Sequence, residues 1–242
     1  MQKPYLKKYG VVSEFTVYIV DGKYIRTNIE EEFTNFGQHY RFRFIPKNEF
    51  WIDKEYGSDR PEIPFYVDHL LKEYHLMEKG YPYNVALVRA DAKEQSERRR
   101  FLLARHIHGP KKKLVYKTKI QKYSTILDVW LVCGELVRDL FYIDFTEGGH
   151  DFVYPFIPKN EIWLDDDISP EERKFVLLHE LRERNIMFHH MKITRRGKHD
   201  VSNAHVYNVA HREASELEYF YRRHSQKVDE AIRREMKNSM RV

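Results

Sequence analysis

His179-Glu180-Leu181-Arg182-Glu183 is the string in this 242-residue chain whose residue types and spacing are best suited to chemistry. In a helix, residues four apart share a face with Cβ atoms about 5–6 Å apart, so His179 and Glu183 converge on one point. Glu180 projects beside them, where a carboxylate can take up a proton. A further ligand is offered by His211 in Ala210-His211-Arg212-Glu213-Ala214, with Glu218 two turns on along the same face. Two histidines and a carboxylate, leaving a coordination position for water, suit Zn2+ and equally the facial triad of Fe2+. The expected metal ligands are therefore His179, Glu183, His211 and Glu218, with Glu180 as general base. The same residues also have a structural reading, in which a buried His and carboxylate join two helices by hydrogen bonds.

These side chains need a helix pair and a sheet to hold them. Ser169-Pro170-Glu171-Glu172 supplies a capping hydroxyl, a proline suited to the first helical position and a carboxylate placed to reach back, which predicts a helix from Pro170. Phe175, Leu178, Leu181 and Arg182 continue it at helical spacing. Upstream, the run from Phe156-Ile157-Pro158-Lys159-Asn160-Glu161 to Trp163 and Asp165 reads as a strand, and it is also written as Phe44-Ile45-Pro46-Lys47-Asn48-Glu49 to Trp51 and Asp53. At the same 112-residue offset, Arg26 recurs as Arg138, Phe33-Thr34 as Phe145-Thr146 and Gly37 as Gly149. The chain is an internal duplication.

Within each copy, Asp21-Gly22 and Cys133-Gly134 sit between β-rich runs and predict two-residue hairpin turns. The first helix of copy one carries Phe65, His69, Leu71 and Met77 at offset 110, with Asp59 and Glu62 as its capping box; the last helices begin near Tyr83 and Tyr207 at offset 124. Copy two thus holds fourteen extra residues within 188–205. They include His189, His190, Arg195, Arg196, Gly197, Lys198, His199 and His205, lack helical periodicity and read as a loop. Residues 213–240 read as one long helix. The predicted fold is α+β: two tandem copies of a β-hairpin plus one or two strands followed by two helices, packed with pseudo-twofold symmetry. The first repeat spans 1–100, a linker 101–115 contains Gly109-Pro110, and the second repeat spans 116–242. His179, Glu183 and Glu218 have counterparts His69, Glu73 and Glu94, whereas Glu180 and His211 align with Leu70 and Leu87, so copy one reads as a degenerate site.

The helix pair of copy two resembles the zincin metallopeptidases of gluzincin type, whose helix carries His-Glu-x-x-His and whose next helix supplies a Glu. The resemblance implies a sheet packed on an active-site helix, and metal-activated water attacking a peptide carbonyl. Here Glu183 stands where the second His belongs and His211 where the family has Glu, so ligand types are kept in sum but exchanged in place. The wider pattern also resembles phage and prokaryotic proteins, a likeness that carries no activity with it.

Composition bounds these readings. The chain is 42% hydrophobic and 33% charged, with a net charge of +5 and a pI near 9.0, a mildly basic balance. A single cysteine, Cys133, excludes an internal disulfide and a cysteine-built zinc site, and fits a reducing compartment. The segment Met1–Lys8 lacks the apolar core of a signal peptide, and no apolar run approaches the ~18 residues of a membrane span, so a cytoplasmic location is expected. Trp51 and Trp163 read as core. The clusters Arg98, Arg99, Arg100 and Lys111, Lys112, Lys113 offer phosphate contacts, although no nucleic-acid motif accompanies them. Two functions from different classes follow: a metal-dependent hydrolase of zincin-like type with its site in the second repeat, or a non-catalytic duplicated module. The latter would be a phage or mobile-element structural protein or a nucleic-acid-associated adaptor.

Overall fold

Strand pairing repeats the duplication in the three inner strands of each sheet, register included, while the outer hairpin strand is longer in copy one. The computed structural model describes residues 4–57, 61–104, 112–194 and 201–242, with side chains described outside 191–204. Copy one comprises β1 (Tyr5–Val12), β2 (Phe15–Val20), α1 (Gly22–Asn28), β3 (Phe36–Gln38), β4 (Glu49–Asp53), α2 (Lys54–Gly57), α3 (Ile63–Glu78) and α4 (Tyr83–Ala104). Copy two comprises β5 (Tyr116–Lys119), β6 (Asp128–Val132), α5 (Gly134–Leu140), β7 (Gly148–His150), β8 (Glu161–Asp165), α6 (Pro170–Thr194), α7 (Val201–Arg223) and α8 (Val228–Asn238). The sheets run β1-β2-β4-β3 and β5-β6-β8-β7. Their central pairs are parallel, from Thr16 opposite Glu49 to Val20 opposite Asp53, and from Asp128 opposite Glu161 to Val132 opposite Asp165. The α+β class, with a hairpin, further strands and helices in each copy, is the one expected.

The hairpins themselves lie earlier than the sequence reading placed them. They pair β1 with β2 and β5 with β6, and the first turns at Ser13-Glu14, where Ser13 has φ 54°. Asp21-Gly22 opens α1 instead: the Asp21 carboxylate accepts from the Tyr24 N–H at 3.3 Å, a helix cap. An Asp before Gly serves a turn and a helix start alike, and here the cap prevails. Gly22 is required by close approach, since a Cβ there would lie 1.8 Å from the Asp53 carboxylate, and one at Gly134 would lie 2.1 Å from that of Asp165. Asp53 is fully buried and bound by Arg26 at 2.7 Å, so it cannot swing aside. Gly22→Ala is therefore expected to cost about 3 kcal/mol, the upper end for overpacking, read as a lowered urea midpoint with an unchanged slope.

Trp51 and Trp163 are core residues, each donating its indole N–H at 2.8 Å to a Glu two residues earlier, Glu49 or Glu161. The same carboxylates accept from Tyr5 and Tyr116, whose rings meet the indoles edge-on at 5.1 and 5.3 Å. Both sheets thus carry one aromatic cluster, built twice.

The chain forms two compact units, Met1–Lys111 with Glu135–Asp144, and Lys112–Gly134 with Phe145–Val242. In the first, Glu62 does not close a capping box. It precedes α3 without a side-chain cap, its carboxylate paired with Arg98 and Arg138 at 2.8 Å each; Asp59 lies outside the described residues. Arg98 also binds Glu94 and Asp139 at 2.8 Å and is 1% exposed. It is therefore unavailable to phosphate, which corrects the basic-cluster reading: Arg99, Arg100, Lys112 and Lys113 are exposed, and Lys111 lies outside the described residues.

In the second unit α6 packs on β7, β8, α7 and α8. Ser169 caps it as expected, its hydroxyl accepting from the Glu172 N–H at 3.4 Å. The extra residues of copy two are not simply a loop. Where α3 stops at Gly80, whose φ of 88° ends the helix, α6 runs on to Thr194 and α7 starts at Val201, and residues 195–200 lie outside the described ones. The tail is also not one helix: α7 ends at Arg223, and α8 returns a separate stripe of Val228, Ala231, Ile232 and Met236 to the core. Asn185 of α6 donates to the Glu235 carbonyl at 2.9 Å, and Arg184 to the Met240 carbonyl at 3.0 Å. These bonds offset the break by holding the returned segment. Among the described residues no helix is long and apolar enough to cross a membrane.

Candidate metal centre

One face of α6 brings His179 and Glu183 together, and α7 lays His211 against them. Nε2 of His179 is 3.1 Å from Nδ1 of His211 and 3.5 Å from Oε2 of Glu183, and Nδ1 of His211 is 2.9 Å from that same oxygen. Tetrahedral ligands at about 2.0–2.1 Å from a zinc ion lie about 3.3 Å from one another, so the three edges fit a single cation. Hydrogen bonding can also use these atoms, with His179 and His211 both donating to Glu183, but it cannot make all three contacts at once. A ring nitrogen carries either a proton or a lone pair. Nδ1 of His211 therefore cannot donate to Glu183 while also accepting from His179. His179 and Glu183 are buried, and the His211 side chain is 36% exposed, so the group opens toward solvent on the α7 side. Tyr207, one turn earlier, stacks on the His211 ring at 5.5 Å and 22°.

Glu218, expected as a ligand, lies behind His179. Its Oε2 is 2.9 Å from Nδ1, the nitrogen facing away from the triangle, while Arg222 holds its other oxygen at 2.9 and 2.7 Å. A carboxylate in that place takes the Nδ1 proton and fixes the ring, so that Nε2 faces the triangle. Arg222 in turn binds Glu172 at 2.7 Å, tying the start of α6 to the same network. Burial opposes the charged form of Glu218, but Arg222 and then His179 outweigh it and hold its pKa well below the usual range. For His179, burial opposes charging and the carboxylates of Glu183 and Glu218 prevail, raising it well above the ordinary value.

Glu180 offers a carboxylate oxygen within 4.8 Å of ligand atoms of Glu183 and His150. Burial first, and the Glu183 carboxylate second, push its pKa up to about 7. Glu183 itself is held well below the ordinary range: burial works against its charge, but hydrogen bonds from His150, His179 and His211 outweigh that.

His150 is the residue that sequence reasoning missed. It ends β7, is completely buried, and places Nε2 3.0 Å from Oε1 of Glu183. Two features seat it there. A Cβ on Gly148 would lie 2.8 Å from Val176, so glycine lets β7 approach α6. Arg184 then clamps the neighbouring Asp151 at 2.6 Å. The available signal was position: His150 follows Gly149 as Gln38 follows Gly37, but the residue types differ and the pairing is easily passed over.

Copy one retains the part of this network behind the ligand triangle. His69 is 3.0 Å from Glu94 and 3.6 Å from Glu73, and Arg98 holds Glu94 at 2.8 Å. Leu87 and Leu70 replace His211 and Glu180, and Asp91 of α4 approaches Nδ1 of His69 at 3.6 Å instead; among the described residues copy one holds no metal-ligand group. Of the insertion histidines, His189 and His205 are exposed, and the described ones take no part in the metal-ligand groups; His199 lies outside the described residues. Asp165, Asp166 and Asp167 also lie close together, but Asp165 accepts from the Asp167 N–H at 2.9 Å and Asp166 from the Gly134 N–H at 3.2 Å. Comparison with protein families, with curated proteins and with solved structures gave no match for this chain.

Proposed function

We propose that the second copy is a divalent-metal-dependent hydrolase, zincin-like in its division of labour and most suited to peptide bonds. The observation that carries this reading is the triangle of His179 Nε2, His211 Nδ1 and Glu183 Oε2, three nitrogen and oxygen atoms of metal-ligating type at 2.9–3.5 Å spacing around one point. Zn2+ fits that donor set, and Fe2+ shares it. When bound, such an ion acidifies a water molecule and polarises a carbonyl. Glu180 is the group that accepts the water's proton and returns it to the leaving amine, helped by its position beside the ligands and outside the triangle. His179 is oriented by Glu218 and Arg222, and His211 forms the accessible rim by which substrate arrives.

A second reading draws on copy one, where His69, Glu73 and Glu94 form a helix-joining network without a counterpart of His211. On that reading the whole cluster joins helices and binds nothing. His211→Leu, which imitates Leu87, separates the two. The hydrolase reading expects the wild type to contain about one Zn2+ or Fe2+ per chain by elemental analysis and to melt lower after chelation. The variant then lacks the ion, and its melt ignores chelator. A wild type indifferent to chelator, beside a His211→Leu protein destabilised by about 1–3 kcal/mol, would retire the metal reading in favour of the network.

A further inference from the structure

His150, Glu180 and Glu183 form a second group of converging donors, sharing Glu183 with the first. A carboxylate between two such groups suggests a bridged pair of ions, as in two-metal hydrolases. The hydrogen bonds of His150 point elsewhere. Its Nδ1 accepts from the Phe152 N–H at 3.2 Å, so Nδ1 carries the lone pair and Nε2 the proton, which faces Oε1 of Glu183 at 3.0 Å. A metal on Nε2 would require the opposite tautomer and would turn two N–H groups on each other at Nδ1.

Copy one provides an internal control, because the duplication preserves both bonds with a different side chain. Gln38 stands in the place of His150 and accepts from the Tyr40 N–H at 2.6 Å through its amide oxygen. Its amide nitrogen donates to Oε1 of Glu73, the counterpart of Glu183, at 2.7 Å. Gln and the Nε2-protonated His are alike in presenting one acceptor and one donor across a short planar group. Gln38 is fully buried, as His150 is. What the fold keeps at this position is a donor to the carboxylate, not a ligand.

We infer that His150 is a positioning residue that holds Glu183 by Oε1, so that Oε2 alone faces His179 and His211 and the centre takes one ion. This rests on the metal reading above and adds to it the number of ions and the denticity of Glu183. A carboxylate free to rotate would present either oxygen, or both, to the ion. Held at Oε1, it is monodentate and leaves a coordination position for water.

Co2+ serves as the probe, because its visible spectrum reports the ligand field. Titrations of the full chain as wild type, His150→Gln and His150→Ala are expected to give one Co2+ per chain for the first two, with matching spectra. His150→Ala is expected to bind about 10–100-fold more weakly, the usual effect of losing an outer-shell partner, with an altered spectrum. Two ions per wild-type chain, or a Gln variant that loses its ion or changes its spectrum, would overturn the inference and make His150 a ligand. Unchanged affinity in the Ala variant would also overturn it. Should that variant fail to fold, the ion count and spectrum of the Gln protein decide alone. A wild type that binds no Co2+ at all removes the metal reading itself, an outcome distinct from the others.

Discussion

On the hydrolase reading, a Glu180→Gln protein is expected to match the wild type in ion content and to lose hydrolysis by about 10²- to 10⁴-fold. Gln has the shape of Glu and can still donate and accept hydrogen bonds, but it cannot take a proton from water. None of the three converging ligand atoms belongs to residue 180, so ion content should equal that of the wild type when the two are prepared side by side. Glu180 lies close to Glu183 and His150, and its pKa near 7 reflects burial and the adjacent carboxylate. Removing its charge relieves that repulsion, so the melting temperature should hold or rise slightly. The measurement is turnover of a mixed peptide substrate, with metal analysis of the same samples. Equal turnover in both proteins, at equal ion content, would show that the base lies elsewhere.

The largest effect on stability is expected in the first unit, from Glu62→Ala. Glu62 is 1% exposed between Arg98 and Arg138, and its removal leaves two buried guanidinium groups facing each other. Breaking a buried pair from one side costs about 3–5 kcal/mol, because the charge left behind remains desolvated. Glu97→Ala, at a partly exposed pair with Lys93, should cost under about 1 kcal/mol in the same assay. The pH dependence has a definite sign. Burial raises the pKa of Glu62, but Arg138 and Arg98 outweigh it and bring the value from 4.5 to about 2. A depressed carboxylate contributes stability that is complete above its unfolded value and is lost as pH falls through the folded one. The gap between wild type and Glu62→Ala should therefore shrink as pH is lowered from about 4.5 to about 2. A gap that stays constant over that window would show that the cost comes from lost packing instead of charge.

The duplication and the α+β class were legible because strand residues repeat at one spacing, and the register of β2 with β4 is that of β6 with β8. The pairing of His179 with Glu183 was legible because helical periodicity fixes which side chains share a face, and His211 because the next helix in the chain carries it at a site that the first copy fills with Leu87. Three features were not. β1 is largely exposed and basic, and its turn at Ser13-Glu14 contains no glycine, so Asp21-Gly22 drew the hairpin one strand too late. α8 is separated from α7 only by a short stretch of polar residues at 224–227, which do not announce a break; the return follows from contacts made by Asn185 and Arg184 far away in sequence. His150 lies on a three-residue strand with no period to exploit, and its role becomes evident only beside Gln38.

Assignment of Glu135–Asp144 to the first unit has a consequence for how the protein is made. Those ten residues are synthesised after the rest of that unit, and the chain on either side of them belongs to the other. Before residue 144 has left the ribosome, Glu62 and Arg98 lack Arg138 and Asp139, and the nascent first unit holds an incomplete set of buried charges. A gene cut between the repeats would yield a first half permanently in that state. The copies arose as equals in sequence, yet neither is now a complete product on its own, and their order of completion is set by ten residues in the middle of the chain.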